Sequence, residues 1–182
     1  GKYPYSHIRN SNIHDNTATG NGGGIYFNGN GASNINTSIR DSKICGNTAT
    51  GNGGGIFVTS TAMINFYCGN TVSGNTANGN GGGVSLNSDS SFNIATDSSA
   101  ADKIAYIKNN SANRGGGIYT NADTFLVGGL CEIEGNTASD MGGGVYIVGN
   151  YYSLIFTKTT VTKNKAPVGA GICLNKKDIG YD

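Results

Sequence analysis

The sequence predicts an all-β fold: a right-handed parallel β-helix of about six turns, with three short strands in each turn. Three observations carry this expectation. A glycine cluster followed by Ile or Val recurs along the 182 residues. An Asn stands at a fixed place before each cluster. The segments between them are short, β-branched and interrupted by glycine, which suits strands rather than the helical segments of ankyrin, TPR or leucine-rich repeats.

The glycine cluster reads Gly22-Gly23-Gly24-Ile25, Gly53-Gly54-Gly55-Ile56, Gly81-Gly82-Gly83-Val84, Gly115-Gly116-Gly117-Ile118 and Gly142-Gly143-Gly144-Val145, with a worn copy at Gly169-Ala170-Gly171-Ile172. Successive copies are 31, 28, 34, 27 and 27 residues apart. The preceding Asn falls at Asn16, Asn47, Asn75, Asn110, Asn136 and Asn164. Two residues after each stands an alanine, from Ala18 to Ala166, and three residues before each stands Ile or Val, from Ile13 to Val161. The unit is therefore Ile/Val-x-x-Asn-x-Ala, a short spacer, then Gly-Gly/Ala-Gly-Ile/Val.

Each element of the turn has a physical reason. One strand surrounds the Ile/Val before the Asn, as in Ser11-Asn12-Ile13-His14. A second follows the glycines, as in Ile25-Tyr26-Phe27, and a third alternates farther on, as in Ala62-Met63-Ile64-Asn65-Phe66. Three strands in about 27 residues match a triangular solenoid whose turns lie about 4.8 Å apart. Ile13, Ile44, Val72, Ile107, Ile133 and Val161 then form one inward stack, and Ile25, Ile56, Val84, Ile118, Val145 and Ile172 a second. The alanines suit a corner with room for a methyl only. The Asn column would set amides one above another, each bonding the next as a structural ladder. Glycine permits positive φ and close approach of neighbouring turns.

Composition agrees with a single domain over residues 1–182, expected to be a segment of a longer surface protein. Glycine supplies 31 positions and Asn 25, yet 36% of residues are hydrophobic and recur in register, which argues against disorder. With 12 basic and 11 acidic residues, a net charge of +1 and no Lys/Arg run, a nucleic-acid partner is not expected. No apolar stretch approaches the roughly 20 residues of a membrane-spanning helix. Cys45, Cys68, Cys131 and Cys173 match no zinc spacing and fall in different columns, so free thiols are expected. Neither metal nor cofactor is expected.

The pairing of Ile-x-x-Asn with Gly-Gly-Gly-Ile resembles the Phe-x-x-Asn and Gly-Gly-Ala-Ile/Leu/Val repeats of chlamydial polymorphic outer membrane proteins. It is similar, too, to adhesin-like β-helix proteins of gut bacteria and methanogens. The likeness runs from residue 11 to about residue 174; Ile or Val replaces Phe, and Gly replaces Ala at the third position. It implies an exported, extracellular or cell-surface protein with an adhesive or structural role, and it brings no catalytic residues.

Parallel β-helices also carry polysaccharide lyases and hydrolases, so paired carboxylates are the feature that would point to an enzyme. Asp15 with Asp41 and His14 comes closest to a cluster, but the two acids fall in different columns. Glu132 and Glu134 flank Ile133, where Lys108 and Lys163 could pair with Glu134. A non-enzymatic module that binds a glycan or a protein is the leading expectation. A carbohydrate-active enzyme is the alternative, and an ice-binding solenoid, suggested by Thr-x-Thr rows such as Thr17-Ala18-Thr19 and Thr48-Ala49-Thr50, is the third. Two features are expected to bind. One is an outward aromatic column, Tyr26, Phe57, Tyr119 and Tyr146. The other is the insertion of the longest turn, with Asp97, Asp102 and Lys103. No polar cap is evident at either end, so flanking repeats or end-to-end contacts are expected.

Overall fold

A computed structural model describes residues 5–29, 36–60, 62–87, 90–95, 103–122, 124–149 and 153–175. Every regular element among them is a strand. The first turn contains β1 (Tyr5–Arg9), β2 (Asn12–His14), β3 (Thr17–Ala18) and β4 (Ile25–Asn28). Each pairs in parallel with its counterpart one turn on, so the chain builds four stacked sheets. The sheets that begin with β1, β2 and β4 have six strands; the one that begins with β3 has five. The chain is a parallel β-solenoid.

The turn holds four strands where the sequence predicts three. The alanine corner is itself a short strand, because hydrogen bonding between turns does not stop there. Thr48 N–H donates to the Asn16 carbonyl at 2.8 Å, and Thr50 N–H donates to that of Ala18 at 3.0 Å. The sharp bend lies one step earlier. The residue before each column Asn has positive φ in all six turns: Asp15, Gly46, Gly74, Asn109, Gly135 and Lys163, between 55° and 67°.

Registration puts like residues in line. In the β2 sheet Ile13, Ile44, Val72, Ile107, Ile133 and Val161 pair in order. The β4 sheet aligns Ile25, Ile56, Val84, Ile118, Val145 and Ile172. The β1 sheet contributes Ile8, Ile39, Phe66, Ile94, Val127 and Phe156, all part of the apolar core or packed against it. Phe66 and Phe92 stack there at 5.5 Å between ring centroids. The middle of each column has no solvent exposure, from Ile44 to Ile133 and from Ile56 to Val145.

The asparagine column seals the corner between the β2 and β3 sheets. Asn47 Nδ2 donates to Asn75 Oδ1, Asn75 to Asn110, Asn110 to Asn136 and Asn136 to Asn164, at 2.9–3.0 Å. The same oxygens accept from the backbone N–H of the preceding Asn. The other amide hydrogen goes to the carbonyl of the β2-sheet Ile or Val one turn back, as from Asn75 to Ile44 at 3.0 Å. Burial without penalty requires this complete pairing. The third glycine of the cluster lies directly over the amide. At Gly55 a Cβ would stand 2.6 Å from the Gly83 carbonyl oxygen and 3.0 Å from Asn75 Nδ2, so only glycine fits.

Smaller amide rows occur elsewhere. Asn52 N–H donates to Asn21 Oδ1, and Asn80 N–H to Asn52 Oδ1, both at 2.8 Å. At the corner between the β1 and β2 sheets, buried Asn70 accepts from Ser42 N–H at 2.8 Å and donates to the Ile39 and Tyr67 carbonyls.

Candidate functional site

The acidic residues do not converge. His14 Nδ1 lies 2.7 Å from Asp15 Oδ2, whereas Asp41 pairs with Lys103 from two turns away. Arg114 pairs with Asp140 at 2.6 Å. Glu134 pairs with Lys163 at 2.7 Å, and that contact holds its carboxyl below the usual range. Lys108 does not join it by a bridge; its Nζ stands 4.9 Å from the Tyr106 ring centroid. Each of these carboxylates therefore has one basic partner on its own stretch of surface. Such exposed pairs are worth little individually. Among the described residues no three His, Cys, Asp or Glu side chains gather as metal ligands would, and no helix is long and apolar enough to cross a membrane.

Of the insertion, Asp97 and Asp102 lie outside the described residues. Lys103 is half exposed, and its link to Asp41 pins the base of the insertion to the second turn. Beside it Asn10, Ser11, Asn12, Asp41 and Lys43 line a shallow polar hollow.

The aromatic column needs correction. Registration does place Tyr26 beside Phe57, and Tyr119 beside Tyr146, all facing away from the core. Yet only Tyr26 is well exposed, at 52%; Phe57 and Tyr146 are buried at 5% and 3%, and Tyr119 is half buried. The glycine turn approaches the base of this column in each of these turns, at Tyr26 as at Phe57 and Tyr146. Gly142, with φ of 65°, sits so close that a Cβ would be 2.6 Å from the Tyr146 Cβ. Rings then cover rings: Tyr26 and Phe57 are 5.4 Å apart and tilted by 31°, and Tyr119 and Tyr146 are 5.7 Å apart and tilted by 30°. Burial pushes the Tyr119 phenol up, with a smaller push from Tyr146 beside it.

Where the second of these pairs ends, a hollow of about 430 Å³ opens between Tyr119, Asn121, Val148, Gly149 and Asn175. Its geometry follows from strand alternation. Ile118 and Thr120 point inward, so Tyr119 and Asn121 point outward; Val148 and Asn175 extend the Asn121 column in the next two turns. Asn175 Nδ2 donates to the Tyr146 hydroxyl at 3.0 Å. Asn121 Oδ1 is buried with no hydrogen-bond partner. An unpaired buried acceptor costs about 1–3 kcal/mol, which makes it conspicuous beside the fully paired asparagines of the corner. Gly149, at φ of 113°, leaves the floor open; the nearest atom to a Cβ there would be the Asn121 carbonyl oxygen at 3.9 Å.

Sequence reasoning picks out Tyr119 and Tyr146 but not Asn121, Val148, Gly149 or Asn175. The signal that could have found three of them is parity: Asn121, Val148 and Asn175 lie two residues beyond the aromatic column and share its face.

Residues 41–59, one Asn corner with its glycine cluster and the strand after it, match the Chlamydia polymorphic membrane protein repeat. No curated protein matches the chain significantly, and no solved structure does. The match falls on the residues that build the corner, and the solenoid extends that corner through every turn. The chain is thus a parallel β-helix repeat protein with units similar to those of the polymorphic membrane proteins.

Proposed function

We propose that this chain is a non-enzymatic, adhesin-like module of an extracellular or cell-surface protein that binds a glycan or protein. The observation that carries the reading is the polymorphic membrane protein repeat at residues 41–59 within a solenoid of the same units. Two features of the molecule support it. Its distinctive residues, Asn, Ala, Gly and the aliphatic stacks, are all used to build the turn. Asp41, Asp140 and Glu134 each sit with a single basic partner rather than as the opposed pair that glycoside hydrolysis uses. What the turn does not use faces outward: Tyr26, the Tyr119 hollow and the Lys103 side of the insertion.

The test combines a binding screen on glycan and cell-surface arrays with incubation against pectin, alginate and host glycans. Saturable binding without any release of reducing or unsaturated ends is expected. Degradation of a polymer, abolished by replacing one carboxylate, would overturn the reading in favour of a carbohydrate-active enzyme.

A further inference from the structure

We infer that the hollow at Tyr119, Asn121, Val148, Gly149 and Asn175 is a binding site for one neutral sugar residue of a glycan. This rests on the surface-binding reading above and gives it a ligand class and a place.

The first argument is the chemistry of the lining. It offers one half-buried aromatic ring, one valine, one glycine and two carboxamides. None of these described lining residues is Lys, Arg, His, Asp or Glu. A phosphate, sulfate or carboxylate placed there would leave solvent without a counter-charge from these residues. A pyranose has what this lining can match: an apolar C–H face for the ring and valine, and hydroxyls that both donate and accept for the amides. The volume of about 430 Å³ falls at the small-ligand end of the usual range, roughly 300–1,000 Å³.

The second argument is the unpaired oxygen. In the corner column the side-chain oxygens of Asn75 and Asn136 accept from the turn before, and in the other row those of Asn21 and Asn52 accept from the turn after. Asn121 and Asn175 share a column as well, but Val148 stands between them. The valine has no donor to give on that side, and Asn121 Oδ1 is buried without a hydrogen-bond partner. A ligand hydroxyl donating to it would restore the missing bond. Asn175, held at 3.0 Å from the Tyr146 hydroxyl, is fixed in place on the opposite side of the valine.

The repeat supplies its own fold-preserving variants. Ser85 occupies the Tyr119 column one turn earlier. Thr59 stands two turns before Asn121, since Val58 and Leu86 pair and Asn121 N–H follows on to the Leu86 carbonyl. Tyr119→Ser and Asn121→Thr therefore introduce residues that the same columns already accept. Val148→Asn would supply Asn121 with an amide neighbour that can donate to its oxygen in place of a ligand.

The experiment is an NMR titration of the labelled chain with methyl glycosides of glucose, galactose, mannose and N-acetylglucosamine, each to millimolar concentration. Sialic acid and a heparin disaccharide serve as charged probes, and a neutral-glycan array is run in parallel. Expected are shifts at Asn121, Val148, Gly149 and Asn175 with at least one neutral sugar and none with the charged probes. All three variants should weaken array binding at least tenfold, with melting temperatures within a few degrees of the parent chain. Shifts confined to other residues, preference for a charged probe, or array binding untouched by the three variants would each overturn the site. A chain that binds cell-surface protein but no neutral glycan loses this inference and keeps the proposed function. A chain that binds neither loses both.

Discussion

At the residue scale, Asn110 shows how much one side chain holds. Its Oδ1 accepts from Asn75 N–H and Nδ2, each at 2.9 Å, while its own Nδ2 donates to the Val72 carbonyl at 3.1 Å and to Asn136 Oδ1 at 3.0 Å. Asn110→Ala would strand an N–H, an amide hydrogen and a carbonyl in a buried corner. At about 1–3 kcal/mol for each group left unpaired, a loss of at least about 2 kcal/mol is expected, read as a lower urea midpoint at unchanged slope. The cysteines make a different prediction. None of the four is in a disulfide; Cys68 and Cys131 are buried, while Cys45 and Cys173 are half buried. Burial, with a smaller push from the Cys68 thiol and then from Glu132, drives the Cys131 thiol up to about 12. Iodoacetamide at pH 8 should modify Cys45 and Cys173 and spare the other two until the chain unfolds. The sign with pH follows. An unfolded thiol ionises near 8.5, whereas folded Cys131 keeps its proton, so its contribution is intact below about pH 8.5. Above that it falls by about 1.4 kcal/mol per pH unit up to the folded value. An alkaline melting series of the parent chain and Cys131→Ala should diverge in that window.

At the scale of the element, the glycine cluster is a set of different jobs. Gly55 lies under the carbonyl of Gly83 and over the amide of Asn75, so Gly55→Ala pushes backbone against backbone. About 1–3 kcal/mol of destabilisation is expected, as for other overpacked sites. Gly20, in the spacer between the Ala corner and the cluster, faces open space: a methyl added there would meet nothing within 4 Å. Gly20→Ala should shift stability by no more than about 0.5 kcal/mol. Thermal melts of the two variants side by side check the contrast, and equal losses would refute the division of labour. The same scale explains why the fourth strand is not legible in the sequence. In the first three turns this strand is only Thr-Ala, too short for period-2 alternation to register, and its pairing depends on hydrogen bonds to another turn.

For the whole molecule, exposure rises toward the last described turn. Ile172 and Leu174 are 38% and 55% exposed, whereas their column mates Ile118 and Leu86 are fully buried in mid-solenoid. A solenoid is stabilised by contacts between neighbouring turns, so a turn with one neighbour holds less tightly than a turn with two. Amides of Thr159–Thr162 and Ile172–Asn175 should exchange with deuterium at least about tenfold faster than those of Thr71–Ser73 and Ala105–Lys108. Uniform protection across these strands would show that the turns unfold as one unit.

By itself the sequence determined the architecture, because a repeated unit can only bury its Ile and Val columns by stacking copies in register. It located the Asn, Ala and glycine columns, and it named the aromatic residues that share one outward column. The tertiary structure decided what those residues meet. Whether Phe57 and Tyr146 reach solvent depends on what stands beside them in the neighbouring turns, where each meets another ring. The left-handed residue before each Asn could not be seen in advance, since Asp, Gly, Asn and Lys share no pattern and only the bend between sheets requires it. The hollow beside Tyr119 was equally hidden. Asn121, Val148 and Asn175 are ordinary residues along the chain and line one hollow only when three turns are laid side by side, with the Asn121 side-chain oxygen left unpaired there.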